Sequence, residues 1–327
     1  MAYSAEVVQR ARDRLEQARQ EREQENRQHL QAAYERLPRL REIDQQLRKT
    51  MALAAQAAFS RGGDVKTLIE QAKQENLALQ KEREQLVTWN FEEGYLDDSP
   101  ICSRCGGSGY VGSTMCECLQ ELCRQEQKKE LSLLSGGRES FNQFRLEYYS
   151  DQYDPQFGAS PRMVMERNFK FCRSYATAFT PEAGNLLFVG GTGLGKTFLS
   201  ACIARAVADR GYSVLYETAS GLFTKLEQAK FNPTEETRRQ AEKLSQCDLL
   251  IVDDLGTEMP GQFVTAALYS LVNDRMLAGK PMVISTNLNV EEMSRRYSPQ
   301  IASRLHGGFV RLTFVGDDIR VLKNRRG

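Results

Sequence analysis

The most specific chemistry in this sequence is carried by one glycine-dense run, Gly190-Gly191-Thr192-Gly193-Leu194-Gly195-Lys196-Thr197. It fits the spacing G-x-x-x-x-G-K-[ST], follows an apolar stretch, Asn185–Val189, that predicts a strand, and opens an apolar-periodic stretch, Thr197–Arg210, that predicts a helix. Glycines let successive backbone N–H groups turn inward without Cβ clashes, and the helix N-terminus beyond adds partial positive charge. Such a loop cradles phosphates. Lys196 would reach the β- and γ-phosphates of ATP, and the Thr197 hydroxyl would bind magnesium.

A second acidic motif lies downstream. Leu249-Leu250-Ile251-Val252-Asp253-Asp254 is a buried-strand pattern ending in two carboxylates. Behind a phosphate loop, Asp253 would hold magnesium through its water shell and Asp254 would orient or deprotonate an attacking water. The plainer alternative is that Asp254 only caps a turn before Gly256. The predicted strand Met282–Thr286 ends at Asn287, whose amide can bridge a γ-phosphate and a water. Arg304, late in a predicted helix, and Arg320, after the last predicted strand, are placed to meet transition-state charge. An arginine supplied by a neighbouring copy accelerates such hydrolysis by about 10³–10⁵-fold; a surface salt bridge is the ordinary role of either residue.

Four of the eight cysteines form a separate cluster, Cys102-x-x-Cys105 followed by Cys116-x-Cys118. Four thiolates can close a tetrahedral zinc site, with Gly106-Gly107-Ser108-Gly109 turning the chain behind the first pair. A complete set leaves no open position, so such a zinc is structural; unliganded thiols or an iron–sulfur cluster are the alternatives. Cys123 has no evident partner, and Cys172, Cys202 and Cys247 read as buried, inert thiols. His29 and His306, the only two histidines, belong to no credible Ser/His/Asp set.

The elements that position these groups are read from pattern. Strands are expected at Asn185–Val189, Ser213–Glu217, Leu249–Val252, Met282–Thr286 and Val310–Val315, separated by helices at Thr197–Arg210, Ser220–Lys230, Thr234–Ser245 and Gly261–Ala278. That alternation predicts an α/β fold with a mostly parallel sheet, whose ligands sit at the carboxyl ends of the strands. Residues 1–95 are rich in Glu, Gln, Arg, Leu and Ala, and predict two amphipathic helices joined by a turn at Gly62-Gly63, with Asp64 as a cap and Pro38 as a kink or a helix start. They form a hairpin, a short coiled coil with another chain, or a solvated spacer. The organisation expected is a helical partner-binding region at 1–95, a zinc module at 96–125, a linker at 126–161 and the nucleotide-binding domain at 162–327.

Composition narrows the class further. In 327 residues, 44 Lys and Arg balance 43 Asp and Glu, so nucleic-acid contact requires a local patch rather than net charge. No apolar run reaches membrane-spanning length, and the N-terminus lacks the apolar core of a signal peptide. A soluble cytoplasmic protein with no membrane partner is expected.

Taken in order, GGTGLGKT, LLIVDDLG, VISTN, IASRL and GDDIR resemble AAA+ ATPases of the DnaC/DnaI/IstB type, helicase loaders and transposition helpers, over residues 162–327. The resemblance implies an AAA+ P-loop NTPase that is lid-less, with Gly327 close behind Arg320. Position by position, Asn287 resembles the sensor-1 residue, Arg304 the arginine finger and Arg320 the sensor-2 arginine. The segment CSRCGGSGYV…CECL is similar to the zinc-bearing N-terminal region of loaders of this type. For function, the resemblance implies an ATP-dependent loader of a hexameric replicative DNA helicase onto single-stranded DNA, using ATP, Mg2+ and Zn2+ and forming homo-oligomers on ATP binding. An IstB-like transposition helper, or an adaptor switched by ATP with little turnover, are the alternatives. In such families the region equivalent to Ser220–Ser245 touches single-stranded DNA. Lys225, Lys230, Arg238, Arg239 and Lys243 would neutralise phosphates there, and Phe231 would stack on a base. Glu227, Glu235, Glu236 and Glu242 support an ordinary solvated helix pair instead.

Overall fold

The computed structural model describes residues 3–59, 65–135 and 139–326. The chain forms two compact units, one made of residues 12–119 and the other of residues 1–11 with 120–327.

In the N-terminal region three helices replace the two expected: α1 (Ala5–Arg36), α2 (Pro38–Phe59) and α3 (Val65–Asn90). Proline lacks the N–H a helix interior needs but suits a first turn, so the apolar seam through Leu30 and Leu40 breaks at Leu37 and restarts at Pro38. Helices α2 and α3 run antiparallel. Arg39 Nε donates to Glu82 Oε1 at 2.8 Å, Arg83 Nε to Asp44 Oδ1 at 2.8 Å, and Asn76 Nδ2 to Thr50 Oγ1 at 3.1 Å. The turn expected at Gly62-Gly63 and the cap at Asp64 lie outside the described residues. His29 has a packing role: its ring stacks on Tyr95 at 4.3 Å. A two-stranded hairpin, β1 (Tyr110–Val111) and β2 (Thr114–Met115), precedes α4 (Glu117–Ser135).

The second unit is the α/β layer structure expected. Its elements are α5 (Pro161–Thr177), β3 (Asn185–Val189), α6 (Lys196–Asp209), β4 (Val214–Thr218), α7 (Ala219–Phe231), α8 (Glu235–Gln246), β5 (Leu249–Leu255), α9 (Gln262–Leu277), β6 (Met282–Thr286), α10 (Val290–Arg296), α11 (Pro299–Gly307), β7 (Phe309–Thr313) and α12 (Ile319–Arg326). Side-chain caps start several of the helices, with Ser160, Thr234, Asn289 and Ser298 each accepting an N–H from the first turn. The five strands are ordered β4-β5-β6-β3-β7, and every pair is parallel. This is a parallel α/β sheet covered by helices on both faces, with the glycine-dense loop between β3 and α6. Apolar residues in β3 alternate between two buried cores. Leu186 and Phe188 pack with α5 and α6 on one face, while Leu187 and Val189 pack with α7, α8 and α9 on the other. Burial on both sides makes these strands read as unbroken apolar runs. No helix among the described residues is long and apolar enough to cross a membrane.

One buried cation ties the layers together. Arg275 on α9 is 1% exposed and faces carbonyls rather than a carboxylate, donating to Leu244 O (2.8 Å), Cys247 O (3.1 Å) and Pro281 O (2.8 Å). Its guanidinium closes the carboxyl end of α8, where helix carbonyls lack intrahelical partners and the dipole is negative. Burial pulls its pKa down, opposed by Cys247 and Asp248. Arg275→Ala is expected to cost about 3–5 kcal/mol of stability in a urea titration, because it orphans several buried acceptors at once. A loss below about 1 kcal/mol would contradict the capping role.

Candidate functional site

Strand order brings the candidate residues together. β3 lies beside β6 and β6 beside β5, with Val189 level with Thr286 and Leu255 level with the same residue. The phosphate loop after β3, the acids at the end of β5 and Asn287 after β6 therefore emerge side by side. They open on a cavity of about 570 Å³ lined by Thr192 to Thr197, Asp254, Asn287 and Arg320 among others.

The loop is shaped by its glycines and by what packs behind them. Gly195 caps α6 with φ 91°, and no side chain supplies the cap, so the first-turn N–H groups are left for an anion. A Cβ at Gly195 would sit 2.9 Å from the Tyr149 hydroxyl, and that hydroxyl donates to Leu194 O at 3.0 Å. At Gly190 (φ 157°) a Cβ would meet Phe314 O at 2.4 Å. Lys196 is 5% exposed, and its ammonium donates to Gly190 O at 2.8 Å and Gly191 O at 2.7 Å. Burial lowers its pKa and Arg320 adds to that, while Asp254 and Asp253 oppose. The cavity joins glycine-cradled N–H groups, an ammonium and a guanidinium, a donor set that fits a polyphosphate.

The two acids part company. β5 runs on through both of them to Leu255, beyond the expected end at Val252, and its ladder with β6 breaks register between Val252 and Leu255. Asp254 has φ 55°, the single described non-glycine residue with positive φ, a conformation costing about 1–3 kcal/mol. The two side chains meet different surroundings. Asp253 is buried at 3% exposure, with Oδ2 accepting from the Tyr216 hydroxyl at 2.7 Å and Oδ1 from Ser285. Asp254 is more open than its neighbour and lines the cavity wall. Partial burial raises its pKa, helped by Asp253 and opposed by Lys196 and Arg320.

The remaining candidates divide. Arg320 sits on α12, a helix absent from the expectation, and shares the cavity with Lys196 and Asp254. The α12 start is held against the loop, with Ile319 N donating to Gly193 O at 3.0 Å and Arg320 N to Asp318 Oδ1 at 2.8 Å. Arg304, on α11, is not among the residues lining this cavity; its guanidinium lies 4.4 Å from the Tyr269 ring centroid and donates to Asn273 at 3.2 Å. Of the five basic residues in α7 and α8, Lys225, Arg239 and Lys243 are ion-paired with Glu217, Glu235 and Glu6. Lys230 lies over the rings of Phe231 and Phe263 at 5.6 and 5.4 Å, and Phe231 is 60% exposed.

Several lining residues escaped sequence reasoning. Phe144, Tyr148 and Tyr149 come from the Tyr/Phe-rich end of the stretch expected to be a linker. The available signal was aromatic density, Phe141 to Tyr149, inside an otherwise charged connector. Tyr216 and Ser285 carried no signal, since a polar residue inside an apolar strand declares no partner.

In the other unit, the four cysteine sulfurs lie within 4.8 Å of one another, with Cys102–Cys116 at 3.8 Å and Cys105–Cys118 at 3.4 Å. Tetrahedral zinc with bonds of about 2.3 Å separates its sulfurs by about 3.8 Å, so the quartet fits that ion. The β1–β2 hairpin folds Cys116 back toward the first pair, and Cys116 N donates to Gly109 O at 2.8 Å. Burial opposes ionisation of Cys105, but the Gly109 N–H at 3.3 Å and neighbouring donors pull its thiol down to about 6. Cys123 is buried outside the quartet.

Comparison with known proteins places this domain. The sequence pattern of the family described as IstB-like ATP binding protein matches residues 149–304. The replicative helicase loader DnaC of Escherichia coli (strain K12) is 26% identical over 136 residues, 42% of this chain and 56% of that protein. The matched stretch thus spans little more than half of that relative's length. The replicative helicase loader DnaC of Buchnera aphidicola subsp. Schizaphis graminum (strain Sg) is 25% identical over 239 residues, 72% of this chain and 85% of that protein. A crystal structure of the DnaC helicase loader superposes with a TM-score of 0.45 at 18% identity, covering 54% of this chain and 98% of that one.

Gly195→Ala tests the loop geometry, because it combines a left-handed φ with contact to Tyr149. Titration with a fluorescent ATP analogue should show affinity reduced by at least about ten-fold. Unchanged affinity would mean that the loop does not cradle the nucleotide.

Proposed function

We propose that this chain, whose residues 149–304 match the sequence pattern of the IstB-like ATP binding protein family, is an ATPase that loads a hexameric replicative DNA helicase onto single-stranded DNA. Two relatives are named helicase loaders, one of them matched over most of its length. The observation that carries the reading is the convergence of Lys196, Thr197, Asp254, Asn287 and Arg320 on one cavity.

In this reading, the loop N–H groups and Lys196 hold the β- and γ-phosphates, and Arg320 reaches the same charge from α12. Thr197 and, through water, Asp253 would hold a magnesium ion, which would supply Lewis-acid polarisation of the phosphate oxygens. Tyr216 and Ser285 occupy one lone pair on each Asp253 oxygen, and the remaining lone pairs would accept from the ion's water shell. Asp254 and Asn287 orient the attacking water. As its oxygen bonds to the γ-phosphorus, the bond to the β–γ bridging oxygen breaks, the electron pair leaves with ADP, and a water proton passes to Asp254. Its raised pKa makes it a stronger base than an ordinary aspartate. Arg304 acts on a neighbouring copy's γ-phosphate when the chains assemble on ATP.

Cys102, Cys105, Cys116 and Cys118 hold a structural zinc in the N-terminal half, and that half grips the helicase. The family's name favours one other reading, an IstB-like transposition helper. The full chain mixed with purified replicative helicase should transfer the ring to closed circular single-stranded DNA only when ATP is present. A chain that leaves the helicase unloaded but binds a transposase supports the second reading. Metal analysis should find about one zinc per chain, lost when Cys102 and Cys105 are both changed to Ser. A folded, metal-free wild-type chain would remove the zinc site.

A further inference from the structure

Ser285 lies one strand away from the acids, on β6, at 0% exposure. A serine hydroxyl has one proton to give and lone pairs to receive with. Here the proton goes to Asp253 Oδ1, and a lone pair receives the Asp254 backbone N–H at 2.9 Å. One hydroxyl therefore touches both members of the acidic pair.

These contacts fall where the β5–β6 ladder loses its register. In a regular parallel ladder, backbone N–H groups pair with carbonyls of the neighbouring strand. The Asp254 N–H pairs with a side chain instead, and its residue takes φ 55°. The next position on β6 braces the other end of the irregularity, with Thr286 Oγ1 donating to Leu255 O at 2.6 Å. Between these two hydroxyls the backbone is held in the turn that keeps Asp253 inside and aims Asp254 at the cavity. Of the two acids, Tyr216 hydrogen-bonds only Asp253. Ser285 and Tyr216 thus share one partner and differ in the other.

We propose that Ser285 is a positioning residue for ATP hydrolysis, acting through the placement of Asp254 rather than by touching the nucleotide. The proposal rests on the ATPase reading above. It separates two effects: binding, which depends on the phosphate loop, stays intact, while turnover, which depends on where the Asp254 carboxylate stands, falls.

The test compares full-length variants in steady-state ATP hydrolysis and in binding of a fluorescent ATP analogue. Ser285→Ala should lower kcat by at least about ten-fold with KM and analogue affinity within about two-fold of wild type. Ser285→Thr, which keeps a hydroxyl and suits a strand, should recover most of the rate. Ser285→Cys fills the site with a poor hydrogen-bonding group and should lose kcat as the alanine variant does, which keeps the test open if that variant fails to fold. The magnesium concentration for half-maximal turnover should stay within about three-fold of wild type in Ser285→Ala, because Tyr216 still holds Asp253. Full kcat in Ser285→Ala or Ser285→Cys overturns the proposal. So does a raised magnesium requirement that accounts for the loss, which would place the effect at Asp253, or a loss matched by weakened binding, which would make Ser285 merely structural. If the wild-type chain binds ATP but turns none over, the hydrolysis reading itself fails, and Ser285 has no reaction to position.

Discussion

Parallel pairing of β6 with β3 on one side and β5 on the other is the constraint on which the candidate site depends. It sets Val189 level with Thr286 and Thr286 level with Leu255. Those pairings put a phosphate loop, two carboxylates and an amide at one edge of the sheet. A one-residue slip in any of these strands would turn its side chains to the opposite face and disperse the group. The apolar alternation that buries Leu186 and Phe188 on one side and Leu187 and Val189 on the other resists such a slip. The packing that stabilises the fold is therefore also what registers the chemistry.

Within that frame the site is built from local departures from regular structure. α6 begins at a left-handed glycine without a side-chain cap, unlike α5, α8, α10 and α11. β5 breaks its ladder where Asp254 takes a left-handed conformation. Each departure costs free energy that surrounding contacts offset: Tyr149 behind the loop, Ser285 and Thr286 beside the acids. Electrostatics is balanced in the same way. Burial disfavours charge on both Lys196 and Asp254, and each favours the charged form of the other.

Much of this was legible in the residues. The phosphate loop combines a rare spacing with its strand and helix context, and strands buried on both faces announce themselves as apolar runs. The cysteine spacing likewise declared its geometry. What stayed hidden depends on tertiary contact. A serine in VISTN or a tyrosine in β4 reads as a strand residue until a neighbouring strand brings an aspartate to it. The left-handed turn at Asp254 has no glycine to mark it. Tyr149 and Phe144 looked like linker because the partners that tie them to the site, Leu194 and Phe198, lie some fifty residues further along the chain. In the N-terminal half, Leu30 to Leu47 keeps its period across the Leu37 break, so the pattern alone could not tell a kink from a helix start at Pro38.

The central claim is that the cavity hydrolyses ATP with Asp254 receiving the proton of the attacking water. Phosphate release by the full-length chain with magnesium, ATP, helicase and single-stranded DNA, compared between wild type and Asp254→Asn, tests it most directly. The amide keeps the size of the side chain and removes its basicity. Turnover should fall by about 10²–10⁴-fold while ATP binding is retained. Turnover equal to wild type would contradict the claim and leave Asp254 as a turn residue beside a nucleotide site.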